Sequence, residues 1–533
     1  MDISAIESKF RSTPDMKSSS AEEGMVATAL PHATRAGVEI LRRGGNAVDA
    51  ACASAFAIGV CEPQASGIGG ESNAILNMDG MTIALDGSSR APGLVDINTV
   101  DEESLSTGYK GTTVPSTVAV LGHLHRRFGR LKWNEILEPA INIAREGFEI
   151  TQFQHDLQIQ ELSLFKKVPS LSGAGYYLKD GLKPFETGEL FTQPDLVLIL
   201  QDIADFGPEY FYTGKPASII DEDMRANGGF LRSDDLGRIP WPVERTPITT
   251  KYRGLKIATL PPSSGGRMLL HTLGALDRCP PSFIAGQTPE SYSLLAGIFK
   301  SALHLNEENI PHPDYYSPEN DFMLSGEPSD INIKSMMENF FPDASGETTH
   351  LSVMDSQGNS VGITQSINHL YGCKAAAEGL GFLYNSYLSD MNRDDPEHPH
   401  YFRPNGLSYS SVAPAIIFYK DSPWMVLGSP GSQRIFTALS QFLINVVDRN
   451  MTISEAMEEP RMHYSINNLI SIEADRFHPS VLSRLKEEGY EIDRRGPLSF
   501  YFGSIQTVLK KKSGGGGFQG IADVRRDGTA GGI

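Results

Sequence analysis

The sequence predicts an α+β fold in which two stacked, mainly antiparallel β-sheets are enclosed by helices. Strand-like segments are followed by helix-like segments in both halves of the chain. Residues 346–361 read GETTHLSVMDSQGNSV, the pattern of a β-hairpin with its turn at 355–359. Both strands of this hairpin are mostly apolar, as expected where both faces of a sheet are covered. We therefore expect the two halves of the chain to share one core.

The composition is that of an ordinary globular protein, with 40% hydrophobic and 21% charged residues. A total of 46 Lys and Arg against 65 Asp and Glu gives a net charge of −19, which argues against nucleic acid or an anionic membrane as a partner. No apolar run reaches the roughly 18–20 residues of a membrane span. Residues 1–23 lack an apolar signal core and the four cysteines have no CxxC spacing, so we expect a cytoplasmic protein with reduced thiols.

The first part of the chain, after a polar segment at 1–22 that we predict to be a flexible arm, contains clear helix and strand signals. The predicted elements are a strand at 25–30, a helix from an N-cap at Thr34 to residue 41, a buried helix from Asn46 to Val60, and a hairpin of strands 73–78 and 81–85. The glycines at 67–70 suggest a phosphate loop, but Ser72 stands where GxGxxG needs its last glycine. We interpret them as a structural turn.

The rest of the chain alternates helices, strands and polar loops. We predict helices over 114–148, with Pro139 opening the second of them, a strand at 252–260, a helix at 264–276, strands at 410–418 and 425–428, and a helix at 433–447. Residues 311–347 are rich in Pro, Asp and Ser and are predicted to be flexible and accessible. The acidic residues and histidines at 394–400 have no helical spacing, so a solvated loop is favoured over a metal site.

Thr348 opens the first hairpin strand, where an N-terminal nucleophile would be held. If the peptide bond after Glu347 is cut, Thr348 carries a hydroxyl and an α-amine whose unperturbed pKa, about 7.7–8.0, suits a base near neutral pH. A Thr-Thr pair is also common in ordinary strands. The spacing alone therefore favours the structural interpretation.

Seven segments in order resemble signatures of the γ-glutamyltranspeptidase family. Besides 346–361 they are RRGGNAVDAA at 42–51, SGIGG at 66–70, PPSSGG at 261–266, SSVAP at 410–414, GSPG at 428–431 and ADVRRDG at 522–528. The resemblance implies the four-layer αββα sandwich of N-terminal-nucleophile hydrolases and self-cleavage between Glu347 and Thr348. The products would be a large subunit, 23–347, and a small catalytic subunit, 348–533, in a heterodimer with one core. Further dimerisation is left open.

The resemblance also implies catalytic roles. Thr348 would attack first the Glu347 carbonyl and later the substrate amide. Ser366 takes the position of the family's second hydroxyl, although a strand serine paired across the hairpin is the structural alternative. Backbone N–H groups of Gly431 and Ser432 would form the oxyanion hole, where the family has a Gly-Gly pair. Ser432 must then tolerate a backbone conformation that glycine adopts freely.

The implied substrate-binding residues lie after the hairpin. Asn368 and Asp390 match family positions near the substrate amine, and Ser410 and Ser411 match the serine pair near its α-carboxylate. For Asp390 a loop carboxylate in water is the alternative. His350 either titrates or is a hydrogen-bonded structural histidine.

One segment, DGSSRAP at 86–92, departs from the family pattern. The family arginine position is occupied by Ser88, and Arg90 lies two residues later. In an extended strand this shift moves the guanidinium about 6–7 Å, too far for the same bidentate carboxylate contact. The segment between Asp390 and Ser410 is also short for a long lid over the acyl pocket. These departures favour a small acid amide, as in the family's oxamate amidohydrolases, or a glutaryl-type or other γ-glutamyl-like acyl amide.

Three hypotheses remain from the sequence. The first is an autoprocessed threonine amidohydrolase that needs no cofactor or metal and acts on a small-molecule amide. The second is a true γ-glutamyl transferase or glutathione hydrolase in which Arg90 reaches the substrate carboxylate. The third is an unprocessed binding or structural homologue, which would remain a single chain of 58.1 kDa.

Overall fold

The structure, a computed structural model, describes residues 17–168, 172–325, 346–512 and 516–533. The strands are β1 Ser18–Ala21, β2 Gly24–Thr28, β3 Glu71–Met78, β4 Met81–Asp86, β5 Phe148–Glu149, β6 Leu190–Phe191, β7 Val243–Arg245, β8 Ile248–Tyr252, β9 Leu255–Thr259, β10 Gly346–Asp355, β11 Ser360–His369, β12 Ala415–Tyr419, β13 Ser422–Gly428, β14 Met462–Ser465, β15 Leu469–Ile472, β16 Glu491–Arg494, β17 Gln506–Lys510, β18 Phe518–Ala522 and β19 Thr529–Gly532.

The α-helices surround these strands. They are α1 Pro31–Arg42, α2 Ala47–Cys61, α3 Glu102–Ser106, α4 Thr117–Phe128, α5 Trp133–Glu146, α6 Gln152–Phe165, α7 Ser172–Tyr177, α8 Pro194–Phe206, α9 Glu209–Thr213, α10 Lys215–Ala226, α11 Ser233–Leu236, α12 Gly266–Asp277, α13 Pro281–Ala285, α14 Pro289–Glu308, α15 Phe322–Ser325, α16 Ile435–Val447, α17 Ile453–Glu458 and α18 Pro479–Glu487.

Two large sheets form the centre of the molecule. In the described residues each has seven strands: sheet 1 runs β1-β18-β17-β13-β12-β9-β8, and sheet 2 runs β19-β2-β10-β11-β3-β4-β7. Neighbouring strands are antiparallel in both sheets. Sheet 2 pairs β10 with β2 and β11 with β3, so it joins strands from both sides of Thr348. The predicted α+β fold of two stacked antiparallel sheets is confirmed.

The β10–β11 hairpin shows how the layers pack. Leu351 and Val353 belong to an apolar cluster formed with α1, α2, α4 and α5. Met354 belongs to a second cluster, which contains residues of sheet 1 and of α12, α14 and α16. Successive side chains of a strand point to opposite faces. One face of sheet 2 therefore packs on helices and the other on sheet 1, in the order α-β-β-α.

The local sequence signals around Asn46 are confirmed. The Asn46 side chain accepts hydrogen bonds from the N–H groups of Val48 and Asp49, and the Asp49 carboxylate accepts the Asn46 N–H. This capping box fixes the start of α2. Nearly every residue of α2 is buried, as its continuous apolar sequence predicts.

Some predicted boundaries were wrong. Thr34 is not an N-cap, because α1 begins at Pro31, whose fixed φ suits the first turn of a helix. Pro139 lies inside α5 instead of opening a helix, since buried residues on both sides hold that helix against its neighbours. The strand predicted at 252–260 begins only at Leu255 as β9, because Tyr252 is the last residue of β8 and a turn follows it. The strand predicted at 410–418 begins only at Ala415.

The N-terminal arm is shorter than predicted, because Ser18–Ala21 pairs with β18. Residues 1–16 lie outside the described residues, as do 326–345 of the segment predicted to be accessible. The four cysteines are unpaired. Among the helices of the described residues, we find none with the length and apolar character needed to cross a bilayer.

Candidate active site

The candidate site lies where the β10–β11 hairpin changes register. Glu347 pairs with Asn368 and Thr349 with Gln365, so Ser366 and Ile367 of β11 together oppose the single residue Thr348. This is a β-bulge, which re-aims side chains near its position. Thr348 is only 5% exposed. The predicted nucleophile is thus buried at an irregular point of an otherwise regular hairpin.

Ser366 contacts the peptide bond that precedes Thr348. Its Oγ donates a hydrogen bond to the Glu347 carbonyl oxygen at 2.5 Å and accepts the Asn368 N–H at 2.8 Å. A hydroxyl in this position polarises the carbonyl and stabilises the negative charge that develops on its oxygen during nucleophilic attack. The structure therefore brings Ser366 to the predicted cleavage point.

A buried ion network lies beside the same peptide. Arg526 Nη2 lies 2.5 Å from a carboxylate oxygen of Glu347, and Nη1 donates to the Thr348 carbonyl at 3.4 Å. Arg526 Nη1 also lies 3.8 Å from Glu62. We call Arg526, Glu347 and Glu62 the Arg526 cluster. Burial raises the pKa of Glu62 to about 7, although Arg526 opposes this shift.

Arg526 belongs to the segment 522–528, but sequence reasoning assigned it no role. Its partner Glu347 stands immediately before Thr348, and both are almost completely buried. A buried carboxylate is usually paired with a group of opposite charge. The unexplained charge of Glu347 in a buried strand was therefore the signal that could have revealed Arg526.

His350 is a structural histidine. Its ring nitrogens hydrogen-bond the hydroxyls of Thr364 and Ser352, each at 2.9 Å. Burial lowers its pKa to about 3, so the imidazole is neutral near pH 7. A Cβ added to Gly428 would lie 2.4 Å from the ring, which explains a glycine at that position. Of the two interpretations of His350, the structural one is confirmed.

The predicted oxyanion loop lies against the start of β10. Gly431 has φ +125° and Ser432 has φ +52°, so Ser432 adopts the left-handed conformation that glycine tolerates more easily. A Cβ added to Gly346 would lie 3.3 Å from Ser432 Cβ. The loop is held by Ser429, whose Oγ accepts the Ser504 N–H at 3.1 Å. The role of Gly431 and Ser432 as oxyanion donors stays a prediction.

Asn368 and Asp390 are linked through a third residue. Asn368 Nδ2 donates to Ser389 Oγ at 3.2 Å, and Ser389 Oγ lies 3.1 Å from Asp390 Oδ1. Asn368 is buried and has a left-handed backbone, φ +73°, whereas Asp390 is exposed. The two predicted amine-binding residues therefore belong to one chain of polar contacts that runs from the buried site to the surface.

The serine pair lies near Ser88, the position of the displaced family arginine. Ser410 is 5% exposed and its N–H donates to the Ser263 carbonyl at 3.1 Å. The hydroxyls of Ser263 and Ser88 lie 2.9 Å apart. Ser411, the next residue, is partly exposed. Uncharged hydroxyls thus surround Ser88, and its correspondence to the family arginine stays a prediction.

Arg90 lies at the surface. Its side chain is exposed and donates to the Asn405 carbonyl at 3.3 Å. Among the contacts of the described residues, no hydrogen bond or ion pair joins its guanidinium to Ser366 or Ser410. A substrate-binding role for Arg90 stays a prediction, and its contacts in the described residues do not support that role.

Sequence reasoning missed Glu71 and Tyr387. Glu71 stands directly opposite Ser366 in the β3–β11 register and is 1% exposed. Burial raises the pKa of the Tyr387 hydroxyl, and the neighbouring hydroxyls of Ser366 and Ser410 oppose this shift. The signal for Glu71 was available, because it is the only charged residue of the strand ESNAILNM, and a charged residue in a buried strand requires an explanation.

Comparisons with known proteins identify the family of the chain. The family model described as Gamma-glutamyltranspeptidase matches residues 33–533. The chain is 30% identical over 524 residues to the glutathione hydrolase proenzyme of Escherichia coli strain K12, covering 92% of this chain and 88% of that protein. It is also 30% identical over 546 residues to the acylase ACY 1 proenzyme of Pseudomonas sp. strain V22, covering 97% and 95%. The crystal structure of cephalosporin acylase from Bacillus halodurans is similar with a TM-score of 0.87, at 25% identity over 98% of both chains.

Proposed function

Because the chain belongs to the γ-glutamyltranspeptidase family and is an amide hydrolase or acyltransferase of the N-terminal-nucleophile class, we propose that it is a self-cleaving threonine amidohydrolase. It cuts the bond between Glu347 and Thr348 and then hydrolyses a small-molecule acyl amide. The observation that carries this proposal is the hydrogen bond from Ser366 Oγ to the Glu347 carbonyl oxygen.

In self-cleavage the Thr348 hydroxyl attacks the Glu347 carbonyl carbon. The C–N bond breaks, an ester forms between Glu347 and Thr348 Oγ, and the nitrogen takes up the hydroxyl proton to become the free α-amine. Water then hydrolyses the ester, which gives the Glu347 carboxylate and restores the Thr348 hydroxyl. Ser366 would stabilise the oxyanion of the first step, because its hydroxyl already contacts that oxygen.

In turnover the Thr348 amine accepts the proton of the Thr348 hydroxyl as its oxygen attacks the substrate acyl carbon. The substrate C–N bond breaks, the leaving amine takes that proton, and an acyl ester remains on Thr348. Water, activated by the same amine, hydrolyses this ester and releases the acid. All these steps use groups of the chain itself, so the proposed mechanism demands no cofactor.

The proposal also concerns the identity of the substrate's acyl group. The surface position of Arg90 supports hydrolysis of an acyl amide other than the orthodox γ-glutamyl substrate. The sequence leaves two classes, the small acid amides of oxamate type and the γ-glutamyl-like acyl amides, which include glutaryl side chains. The full-length similarity to a cephalosporin acylase supports the acylase side of the family.

The fragments 1–347 and 348–533 should remain together as a heterodimer. In sheet 2, β10 and β11 from the smaller fragment lie between β2 and β3 from the larger one. Separating the fragments would expose the centre of a buried sheet, at a cost in hydrogen bonds and apolar burial far above a single contact.

The test is the covalent state of the purified protein. Intact mass and N-terminal sequencing should give two fragments, the smaller beginning at Thr348. Thr348→Ala should leave one chain of 58.1 kDa and remove amide hydrolysis. Ser356→Ala, which removes an exposed hydroxyl in the turn of the same hairpin, is the control and should be cut normally. An active protein that is a single chain, or a cut Thr348→Ala variant, would contradict the proposal.

A further inference from the structure

Glu71 is a buried carboxylate held by uncharged donors. Its Oε2 accepts three hydrogen bonds, from the Ser89 N–H at 2.9 Å, the Ser89 hydroxyl at 2.8 Å and the Ser408 hydroxyl at 3.0 Å. We call Glu71, Ser89 and Ser408 the Glu71 cluster. No Arg or Lys among the described residues forms an ion pair with Glu71. Its negative charge is therefore stabilised by dipoles alone.

The second carboxylate oxygen is not satisfied. Oε1 is buried, and among the described residues no donor meets it in hydrogen-bonding geometry. The Ser410 hydroxyl is near enough to favour the ionised carboxylate without completing such a bond. A buried acceptor that lacks a partner costs free energy, so a position of this kind calls for a donor from outside the chain.

Glu71 lies beside the reacting groups. Residues directly opposite each other in an antiparallel pair point to the same face of the sheet, and Glu71 is opposite Ser366. That face is the one that carries Thr364 and His350 and packs on sheet 1. Ser89 of the Glu71 cluster follows Ser88, and Ser408 lies two residues before Ser410. The cluster thus joins the predicted nucleophile region to the predicted substrate-binding serines.

From this juxtaposition we propose that Glu71 is a specificity-determining residue that binds an ammonium or other N–H donor carried by the acyl group of the substrate. The inference rests on the proposed function, because it concerns the acyl group held by Thr348. Within the two acyl classes named above, it selects the γ-glutamyl-like acyl amides that bear an amine over small acid amides and glutaryl side chains.

The charge of the site supports this selection. A substrate carboxylate placed near Glu71 would meet a like charge, with Ser88 where the family has an arginine. A substrate ammonium would meet an opposite charge in a buried environment, where charge-assisted hydrogen bonds are strong. In the uncut chain Gly346 and Glu347 pair with His369 and Asn368 and cover this end of the hairpin. Cleavage would free that end for a substrate.

Four p-nitroanilides that differ only at the far end of a four-carbon acyl chain test the proposal. The γ-glutamyl compound carries an amine and a carboxylate, the 4-aminobutyryl compound only the amine, the glutaryl compound only the carboxylate, and the butyryl compound neither. For the processed enzyme we expect kcat/KM to be about tenfold or more higher for 4-aminobutyryl than for butyryl. The glutaryl compound should be the poorest substrate.

Glu71→Gln keeps the shape of the side chain and should remove the advantage of the amine, so that the 4-aminobutyryl to butyryl ratio falls to about one. Glu455→Gln is the matched control. It makes the same chemical change at an exposed helix N-terminus, where glutamine preserves the capping box. If Glu71→Gln fails to fold or to be cut, inhibition of the wild-type enzyme by free acids tests the role of Glu71 instead. 4-Aminobutanoate should then bind more tightly than butanoate or glutarate.

The outcomes separate this inference from the proposed function. A protein that is never cut and hydrolyses none of the four amides would overturn both. A cut, active enzyme that prefers glutaryl or butyryl amides, or whose amine preference survives Glu71→Gln, would overturn the role of Glu71 and leave the amidohydrolase intact. A lost preference in Glu71→Gln with an unchanged preference in Glu455→Gln supports it.

Discussion

Two buried glutamates lie on either side of the peptide between Glu347 and Thr348, and burial raises the pKa of each to about 7. Glu62, on the helix side of sheet 2, lies 3.8 Å from the guanidinium of Arg526. Glu71, on the side that faces sheet 1, is held by hydroxyl and N–H donors. The free-energy cost of removing a carboxylate from water is therefore offset differently at the two positions. A guanidinium does this at Glu62, and hydrogen bonds do it at Glu71.

The difference indicates two different roles. In the Arg526 cluster one cation lies beside two carboxylates, so each carboxylate has a counter-ion inside the protein, and these contacts fix the chain around the cleavage point. In the Glu71 cluster the negative charge has no cationic partner among the described residues, and one oxygen has no donor. A perturbed carboxyl group without an internal counter-ion, next to a reactive hydroxyl, is the kind of group that recognises a ligand.

The largest expected effect comes from removing the cation of the Arg526 cluster. Arg526→Met leaves Glu347 and Glu62 buried without their partner, which typically costs about 3–5 kcal/mol. In the uncut Thr348→Ala background, urea unfolding should show this loss as a lower midpoint. Adding Glu347→Gln should recover part of it, because one unpaired charge is then removed. An unchanged midpoint would show that the cluster does not stabilise the precursor.

The next effect concerns Ser366. Removing an oxyanion donor typically lowers a rate by about 10²–10³, so Ser366→Ala should slow the appearance of the 348–533 fragment by that factor. Ser366→Thr keeps the hydroxyl and should be cut at close to the wild-type rate. The time course is read on denaturing gels. Cleavage of Ser366→Ala at the wild-type rate would contradict the assigned contact.

Neutralising either buried glutamate should stabilise the protein at pH 8. A carboxyl group whose pKa is about 7 when folded and 4.5 ordinarily holds its proton longer in the folded protein, so its contribution to stability is lost as pH rises from about 4.5 to 7. At pH 8, Glu71→Gln should raise the free energy of unfolding by up to about 3 kcal/mol, and the gain should fall below about 1 kcal/mol near pH 5. Glu62→Gln should also raise the free energy of unfolding at pH 8, because the pKa of Glu62 is likewise raised to about 7 even though Arg526 opposes that shift.

These measurements also use the uncut Thr348→Ala background, so that every variant has the same covalent structure. Urea unfolding at pH 5 and pH 8 gives the four differences. A loss of stability in either variant at pH 8 would contradict the raised pKa of that carboxyl group.

The smallest effect is expected in the oxyanion loop. Ser432 has a positive φ, which costs a residue with a side chain about 1 kcal/mol relative to glycine. Ser432→Gly should therefore raise the free energy of unfolding by about that amount and preserve turnover, because a backbone N–H remains. Ser432→Val should do the opposite, since a branched side chain tolerates this conformation poorly. Thermal unfolding and kcat together check both statements.

Much of the fold could be predicted from local signals. Leu351 and Val353 before the turn at 355–359 predicted a strand, and the apolar run from Asn46 to Val60 predicted a buried helix; both are confirmed. Local signals failed where tertiary contacts override them. Pro139 continues α5 because packing holds the helix on both sides, and the strand predicted from residue 252 begins only at Leu255, after the turn that follows Tyr252.

Part of the site was also available from the sequence, because Thr348, Ser366 and Asn368 belong to one hairpin. Residues two or three positions apart on paired strands must lie close together once the turn is known. Arg90 shows the limit of this reasoning, since its position in sequence is near Ser88 but its side chain lies at the surface. Sequence distance along a loop does not determine where a long side chain points.

The sequence by itself determined the hairpin, the order of the family segments and the threonine that begins the proposed small subunit. Only the tertiary structure decided which charges lie next to that threonine. Glu71 reaches Ser366 through the register of β3 and β11, and Arg526 reaches Glu347 through the packing of a C-terminal loop. Such contacts depend on which distant strands pair and in which register. No local pattern of residue types determines that pairing.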